Sequence, residues 1–258
     1  MMGQSMESII RDQYILEVKL LRDHVRSFGE YPFALSAFRN LDRLKMHPAV
    51  TFIVGENGTG KSTLLEAIAV AWGFNPEGGT RNMNFTTRRS HSEMYQHLRL
   101  VKGVARPRDG FFLRAESLFN MATEIERLDK EPGGGRIIDS YGGRSLHEQS
   151  HGESFFSVFM NRFGGNGLYI LDEPEAALSP TRQMSLIALM HNLVNKASQF
   201  IIATHSPIVM AYPNAQIYSL EEDGIKKVKY TETEHYTVTK DFLNKHEKML
   251  KILMQADN

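Results

Sequence analysis

A lysine in a glycine-rich turn, a pair of carboxylates after an apolar run and a histidine after another apolar run are the groups in this 258-residue chain best suited to chemistry. The turn is Gly55-Glu56-Asn57-Gly58-Thr59-Gly60-Lys61-Ser62-Thr63; it follows apolar residues 50–54 and precedes the helix-forming residues 64–69. A strand that ends in such a loop and opens a helix turns successive backbone N–H groups inward around the β- and γ-phosphates of a nucleoside triphosphate. The helix N-terminus adds its dipole. In that arrangement Lys61 reaches the β/γ-phosphate oxygens, and the hydroxyl of Ser62 sits on the magnesium that bridges them.

The second element of the chemistry is Leu168-Tyr169-Ile170-Leu171-Asp172-Glu173, four apolar residues ending in two acids. The run has the pattern of a buried parallel strand. Asp172 is placed to hold the magnesium, directly or through water, and Glu173 to orient an attacking water or accept its proton. Two further segments follow the same logic. Ser150-His151-Gly152-Glu153-Ser154 is a turn at a helix start and so a second anion cradle, and Phe200-Ile201-Ile202-Ala203-Thr204-His205 is a buried strand that delivers a histidine able to sense a γ-phosphate.

Taken in order, the loop, Ser-x-Gly-Glu, Asp-Glu-Pro-Glu and Ala-Thr-His-Ser-Pro resemble the ATPase head of the ABC superfamily. More narrowly they resemble its soluble RecF, SMC and OLD-like branch, with the compact bacterial ATPases labelled AAA-family. The resemblance spans about residues 35–220. It implies ATP and Mg2+ as ligands, Glu173 as catalytic base, His205 as switch histidine, and Ser150 and Gly152 (with Glu153) completing the site of a second subunit. The implied partner is therefore a second copy of the chain, a homodimer formed on ATP binding. Residues 176–180 stand where the family has the D-loop that crosses the dimer interface.

The chain departs from the family at informative places. A transporter signature reads Leu-Ser-Gly-Gly-Gln, whereas Gln149-Ser150-His151-Gly152-Glu153 carries a histidine and a glutamate. The Q-loop residue, a metal-side contact, is either Glu116, after the strand at residues 111–114, or Gln96. Arg39 is either a contact to the nucleotide or an ordinary edge-strand arginine. The long heptad-rich arms of SMC-type ATPases are absent from the 88 positions between Lys61 and Ser150. The resulting expectation is a Mg-dependent ATPase that switches a partner or a nucleic-acid process of repair or defence type. The alternatives are a transporter's nucleotide-binding subunit and an ATP-locked scaffold with little turnover; phosphate release separates the scaffold from an ATPase.

Composition bounds these readings. With 41% apolar and 23% charged residues the chain is ordinary and globular, and no cysteine is present, which excludes disulfides, cysteine-zinc sites and thiol catalysis. The N-terminal residues have neither a basic start nor an apolar core, and no stretch approaches the roughly 20 apolar residues of a membrane span. A cytoplasmic protein is the expectation. Lys plus Arg and Asp plus Glu are 30 each, so no global charge favours nucleic acid. Between Arg81 and Arg114, however, eight basic residues (Arg81, Arg88, Arg89, Arg99, Lys102, Arg106, Arg108, Arg114) face two acids, with His91, Tyr95 and His97 interleaved. This stretch is either a polyanion-steering face or a solvated surface paired with acids elsewhere.

The expected fold is α/β, a P-loop NTPase of ABC type: a mainly parallel sheet, an antiparallel edge and a mixed lobe. One domain covers 1–258, with the lobe inserted at about 74–150. A first strand is expected at 14–20, one or two more within 32–54, and helices at 64–72, 116–129 and 181–197. Ser179-Pro180 supplies an N-cap followed by proline. A hairpin should turn at Glu222-Asp223-Gly224, and the amphipathic pattern over 241–254 predicts a helix packed on the core. Gly133-Gly134-Gly135 and Gly142-Gly143 suggest loops before the serine turn.

Overall fold

The computed structural model describes residues 13–81, 92–131 and 135–255. Its centre is a six-stranded sheet formed by Val50–Gly55 (β3), Asp109–Arg114 (β5), Gly167–Asp172 (β6), Gln199–Ala203 (β7), Gln216–Glu221 (β8) and Gly224–Val228 (β9). The spatial order is β5-β6-β7-β3-β8-β9; every neighbouring pair is parallel except the closing β8–β9 hairpin. The central strands β3, β6 and β7 are buried along almost their whole length because both faces are covered. Phe52, Phe111, Tyr169 and Phe200 pack on one side, while Ile53, Phe112, Ile170 and Ile201 pack on the other.

A second, antiparallel sheet places Ile15–Leu20 (β1) between Arg43–Lys45 (β2) and Leu98–Lys102 (β4). Gln199, fully buried on β7, ties it to the centre: its side chain accepts from the N–H groups of Tyr14 and Ile15 and donates to the carbonyls of Ile15 and His47. The segment expected as an inserted lobe thus contributes β4 to one sheet and β5 to the edge of the other.

The helices are Ser36–Arg39 (α1), Lys61–Trp72 (α2), Leu118–Leu128 (α3), His151–Arg162 (α4), Pro180–Val194 (α5) and Glu234–Gln255 (α6) among the described residues. Helix α2 lies in the core on the side of the antiparallel sheet, whereas α3, α4 and α5 bury their apolar residues on the opposite side. Pro180 occupies the first turn of α5 with Ser179 as N-cap, as expected; the helix stops at Val194 rather than at 197, where Ala197 turns into a positive φ of 52°.

Arg39 lies on a helical turn, not an edge strand. The C-terminal helix begins seven residues before the expected start and buries none of its residues, with Leu243, Ile252, Leu253 and Met254 all exposed. The expectation that it packs on the core is therefore corrected: an amphipathic period identifies an apolar face but not what lies against it. Among the described residues, no helix is long and apolar enough to cross a membrane.

Candidate nucleotide-binding and catalytic site

Parallel strands put their C-terminal ends on one edge, and there β3, β6 and β7 release the phosphate loop, the acid pair and His205 side by side. Two glycines of the loop are dictated by their surroundings. Gly55 has φ 142° and a Cβ there would lie 2.6 Å from the carbonyl of Leu220; Gly60 has φ 100° and a Cβ would lie 2.8 Å from the ring of Phe38. The short helix α1 therefore packs Phe38 onto the loop and carries the exposed Arg39 one residue further on.

Lys61 is buried at the start of α2. Its ammonium donates to the carbonyls of Gly55 and Glu56 at 2.9 and 2.7 Å, which curls the loop around its own lysine. Burial lowers its pKa, and the nearby Glu173 and Asp172 oppose that shift. Ser62, next in the helix, donates its hydroxyl to Asp172 Oδ1 at 3.0 Å, so the residues expected to share a cation meet across 110 positions of sequence. Thr63 bonds the hydroxyl of Tyr31 at 2.9 Å, placing an aromatic ring that is 66% exposed beside the loop.

Asp172 is almost fully enclosed, and burial pushes its carboxyl up to about 6 despite Arg114 and the Ser62 bond. The donor set around it consists of hard oxygens, a hydroxyl and a carboxylate, which suits magnesium. Among the described residues no group of three or more His, Cys, Asp and Glu could hold a metal ion.

Arg114, register partner of Asp172 on β5, is the centre of an acid cluster. It pairs with Glu66 at 2.7 Å and with Glu116, and its Nε lies 3.6 Å from Asp172 Oδ2. Glu116 thus follows the strand adjacent to β6, with its own carboxylate bound to Arg114 and largely exposed. Gln96 instead bonds the neighbouring Tyr95 hydroxyl. At Arg114 the basic stretch follows its second reading, since the guanidinium pairs with acids elsewhere in the fold. Lys102 lies over the ring of Trp72 at 4.5 Å. Arg88, Arg89 and His91, like Gly133 and Gly134, lie outside the described residues.

Glu173 adopts a left-handed φ of 50°, its N–H donating to Ala203 on the neighbouring strand. That backbone turns its side chain toward His205, whose Nε2 is 3.6 Å from Glu173 Oε1. Glu175, the last acid of Asp-Glu-Pro-Glu, accepts the His205 backbone N–H at 2.6 Å and is raised in pKa by burial. Residues kept in sparsely populated backbone regions cluster at sites where geometry matters more than stability.

The serine turn opens α4 as a capping box. Glu153 accepts from both the backbone N–H and the hydroxyl of Ser150, at 3.0 and 2.7 Å, and these bonds lower its pKa. Gly152 is required because a Cβ there would lie 2.6 Å from the carbonyl of Ala177 and 2.9 Å from Arg182. The turn thus rests on residues 176–180. Lys61, Ser62, Asp172, Glu173 and His205 gather at one place; Ser150, Gly152 and Glu153 pair with one another and with that loop. Sequence reasoning missed Tyr31 and the siting of Arg114. It also missed His235, whose Nε2 lies 2.8 Å from His205 Nδ1.

Two family models match the chain: one described as an AAA ATPase domain over residues 154–210, the other as an AAA domain over residues 23–137. Among curated proteins the chain is similar to ABC transporter G family member STR2 of Medicago truncatula, 26% identical over 172 residues, covering 61% of this chain and 24% of that protein. It is also similar to the ribose import ATP-binding protein RbsA of Yersinia pestis, 22% identical over 220 residues, covering 78% of this chain and 40% of that protein. The chain spans less than half the length of these relatives. In fold it is similar to cbiO1 from Clostridium perfringens, part of the ABC transporter complex cbiONQ, with a TM-score of 0.50 and 19% identity over 90% of this chain and 95% of that one.

Proposed function

We propose that this chain, an ATPase head of the AAA/ABC type, binds ATP with magnesium, closes as a homodimer around it and hydrolyses it. The observation that supports this reading most is the meeting of Ser62 and Asp172 at 3.0 Å beside Lys61, with Glu173 directly after Asp172 and His205 at the end of the neighbouring strand. Lys61 exchanges its loop carbonyls for phosphate oxygens. Glu173 orients the attacking water and takes its proton, while His205 donates through Nε2 to the terminal phosphate. When bound, magnesium would be held by Ser62 and Asp172, with Glu116 on its outer side, and would neutralise the charge that develops on the phosphates.

In this reading Ser150 and Gly152 of one subunit face the terminal phosphate held by the other. ATP then binds the closed pair better than the separate heads and stabilises closure by that difference alone. Arg39 and residues 55–63 supply the remaining contacts to the nucleotide. The whole chain acts as one domain, with the segment 74–150 as its insertion, in the cytoplasm, on a nucleic acid or an effector protein of repair or defence type. A transporter subunit is the second reading, favoured by the names of the curated relatives and opposed by His151 and Glu153 in the signature turn.

The test is Glu173→Gln on a sizing column. The variant is expected to bind ATP, to stop releasing phosphate and to shift to a dimer only when ATP is present. A variant that stays monomeric with saturating ATP overturns the paired-head mechanism, and a parent protein that binds without phosphate release favours the ATP-locked scaffold.

A further inference from the structure

We infer that His235 is a positioning residue for His205: it donates Nε2–H to His205 Nδ1 and so fixes the tautomer in which His205 carries its proton on Nε2, facing Glu173. The inference rests on the reading of His205 as the residue that meets the terminal phosphate.

The geometry leaves two arrangements. The nitrogens are 2.8 Å apart and the rings are tilted by 57° with centroids 5.0 Å apart, so the contact is an edge-on hydrogen bond and not a stack. Burial lowers the pKa of both imidazoles, with Lys61 adding to the effect at each, which favours the neutral form of each, and two neutral rings at this distance need one to donate to the other. If His205 donated from Nδ1, its bare Nε2 lone pair would face the Glu173 carboxylate 3.6 Å away, acceptor against acceptor. If His235 donates, His205 Nε2 bears the hydrogen and points a donor at that carboxylate and at the phosphate end of the site. His205 Nε2 is buried and makes no hydrogen bond of its own, so His235 is the partner that decides the tautomer.

His235 is held firmly enough to do this. It sits in the first turn of α6, where Thr233 Oγ1 accepts from the N–H of Tyr236. Just before the helix, the hydroxyl of Tyr230 donates at 2.9 Å to the carbonyl of Pro207, two residues from His205. The helix that buries none of its residues is thereby tied to the catalytic edge at its first turn.

The full chain is tested as the parent, His235→Phe and His235→Gln, since a glutamine amide presents an N–H at about the same position as the imidazole Nε2–H. The expected result is a kcat about tenfold lower in His235→Phe with KM for ATP little changed, and recovery of most of that loss in His235→Gln. Imidazole nitrogen NMR of the ATP-free protein should show His205 protonated on Nε2 in the parent and in His235→Gln, and a mixture of tautomers in His235→Phe. Thermal unfolding reports whether each variant folds. Parental kcat in His235→Phe, equal losses in Phe and Gln, or a His205 protonated on Nδ1 overturns the proposal. The NMR arm needs no turnover, so it separates a failed positioning role from a failed ATPase reading.

Discussion

Strands β5 and β6 carry an aspartate–arginine cluster at each end, and the two clusters are built in opposite ways. At the N-terminal end Asp109 accepts from Arg162 at 2.9 Å, from the Tyr169 hydroxyl at 2.8 Å and from the backbone N–H groups of Gly164 and Gly110 at 3.0 and 2.8 Å. Burial works against that carboxylate, yet these bonds hold its pKa below the ordinary value. At the C-terminal end Asp172 has one hydrogen bond, from Ser62, and its pKa is pushed up to about 6. At the same end of the sheet Arg114 Nε, Glu175 Oε2 and His205 Nε2 are buried without hydrogen-bond partners among the described residues. Orphaned buried polar atoms are scarce in native proteins, and where they gather they mark groups held for a ligand. The satisfied end supplies rigidity, and the unsatisfied end holds the groups proposed to react.

Substitutions at the two ends should therefore fail in different ways. Glu173→Gln is expected to lower kcat by about 10²–10⁴, the span of general-base contributions, with a near-parental unfolding midpoint. Asp109→Ala leaves Arg162 partly buried without its carboxylate and should cost about 3 kcal/mol in urea denaturation, while the folded fraction keeps its kcat. Steady-state phosphate release and equilibrium unfolding, run on both variants, check the pair. A loss of kcat in folded Asp109→Ala comparable to that of Glu173→Gln would erase the distinction between the ends.

The pH dependence sharpens it. The folded pKa of Asp109 is depressed, so the stability it contributes is present above the unfolded value of about 3.9 and is lost as pH falls through the folded value. Asp172 has the opposite sign. Its folded pKa is raised, so in ligand-free protein its ionised form costs stability at neutral pH, and acidification from about 6 toward 4 relieves that cost. Asp172→Asn should then stabilise the ligand-free protein by about 2 kcal/mol at pH 7 and flatten the pH profile between about 6 and 4, whereas Asp109→Asn should flatten it only below about 4. Urea midpoints across this range measure both slopes, and equal slopes in the two variants would refute the assignment.

Much of the catalytic edge was legible in the sequence because parallel strands register chemistry to position: residues that end buried apolar runs must share one edge. The loop pattern singles out Lys61 and Ser62, the ends of buried apolar runs single out Asp172, Glu173 and His205, and the structure brings the five together. Arg114 was read as part of a basic stretch because charge counting is blind to register; its pairing with Asp172 is a property of two adjacent strands. His235 is not legible in the sequence because the amphipathic pattern begins only at 241, although the helix starts at Glu234, and its partner is 30 positions away. The hairpin turn at 222–224 and the Ser179-Pro180 helix start were legible because both depend on local backbone chemistry. The exposure of α6 was not, since an amphipathic face names no partner.

The smallest expected effect isolates the backbone from the side chain at Glu173. A left-handed conformation costs an ordinary L-residue about 1–2 kcal/mol because Cβ crowds the following carbonyl, and glycine escapes that crowding. Glu173→Ala and Glu173→Gly both remove the carboxylate and both should abolish turnover, but only glycine removes the strain at φ 50°. Part of the gain is offset by the greater freedom of glycine in the unfolded chain, about 0.5–1 kcal/mol. Glu173→Gly should therefore be more stable than Glu173→Ala by up to about 1 kcal/mol, read as a shift in urea midpoint at constant slope. An alanine variant as stable as the glycine one would mean that the strand end is relaxed, and that Glu173 is held toward His205 by its side-chain contacts alone.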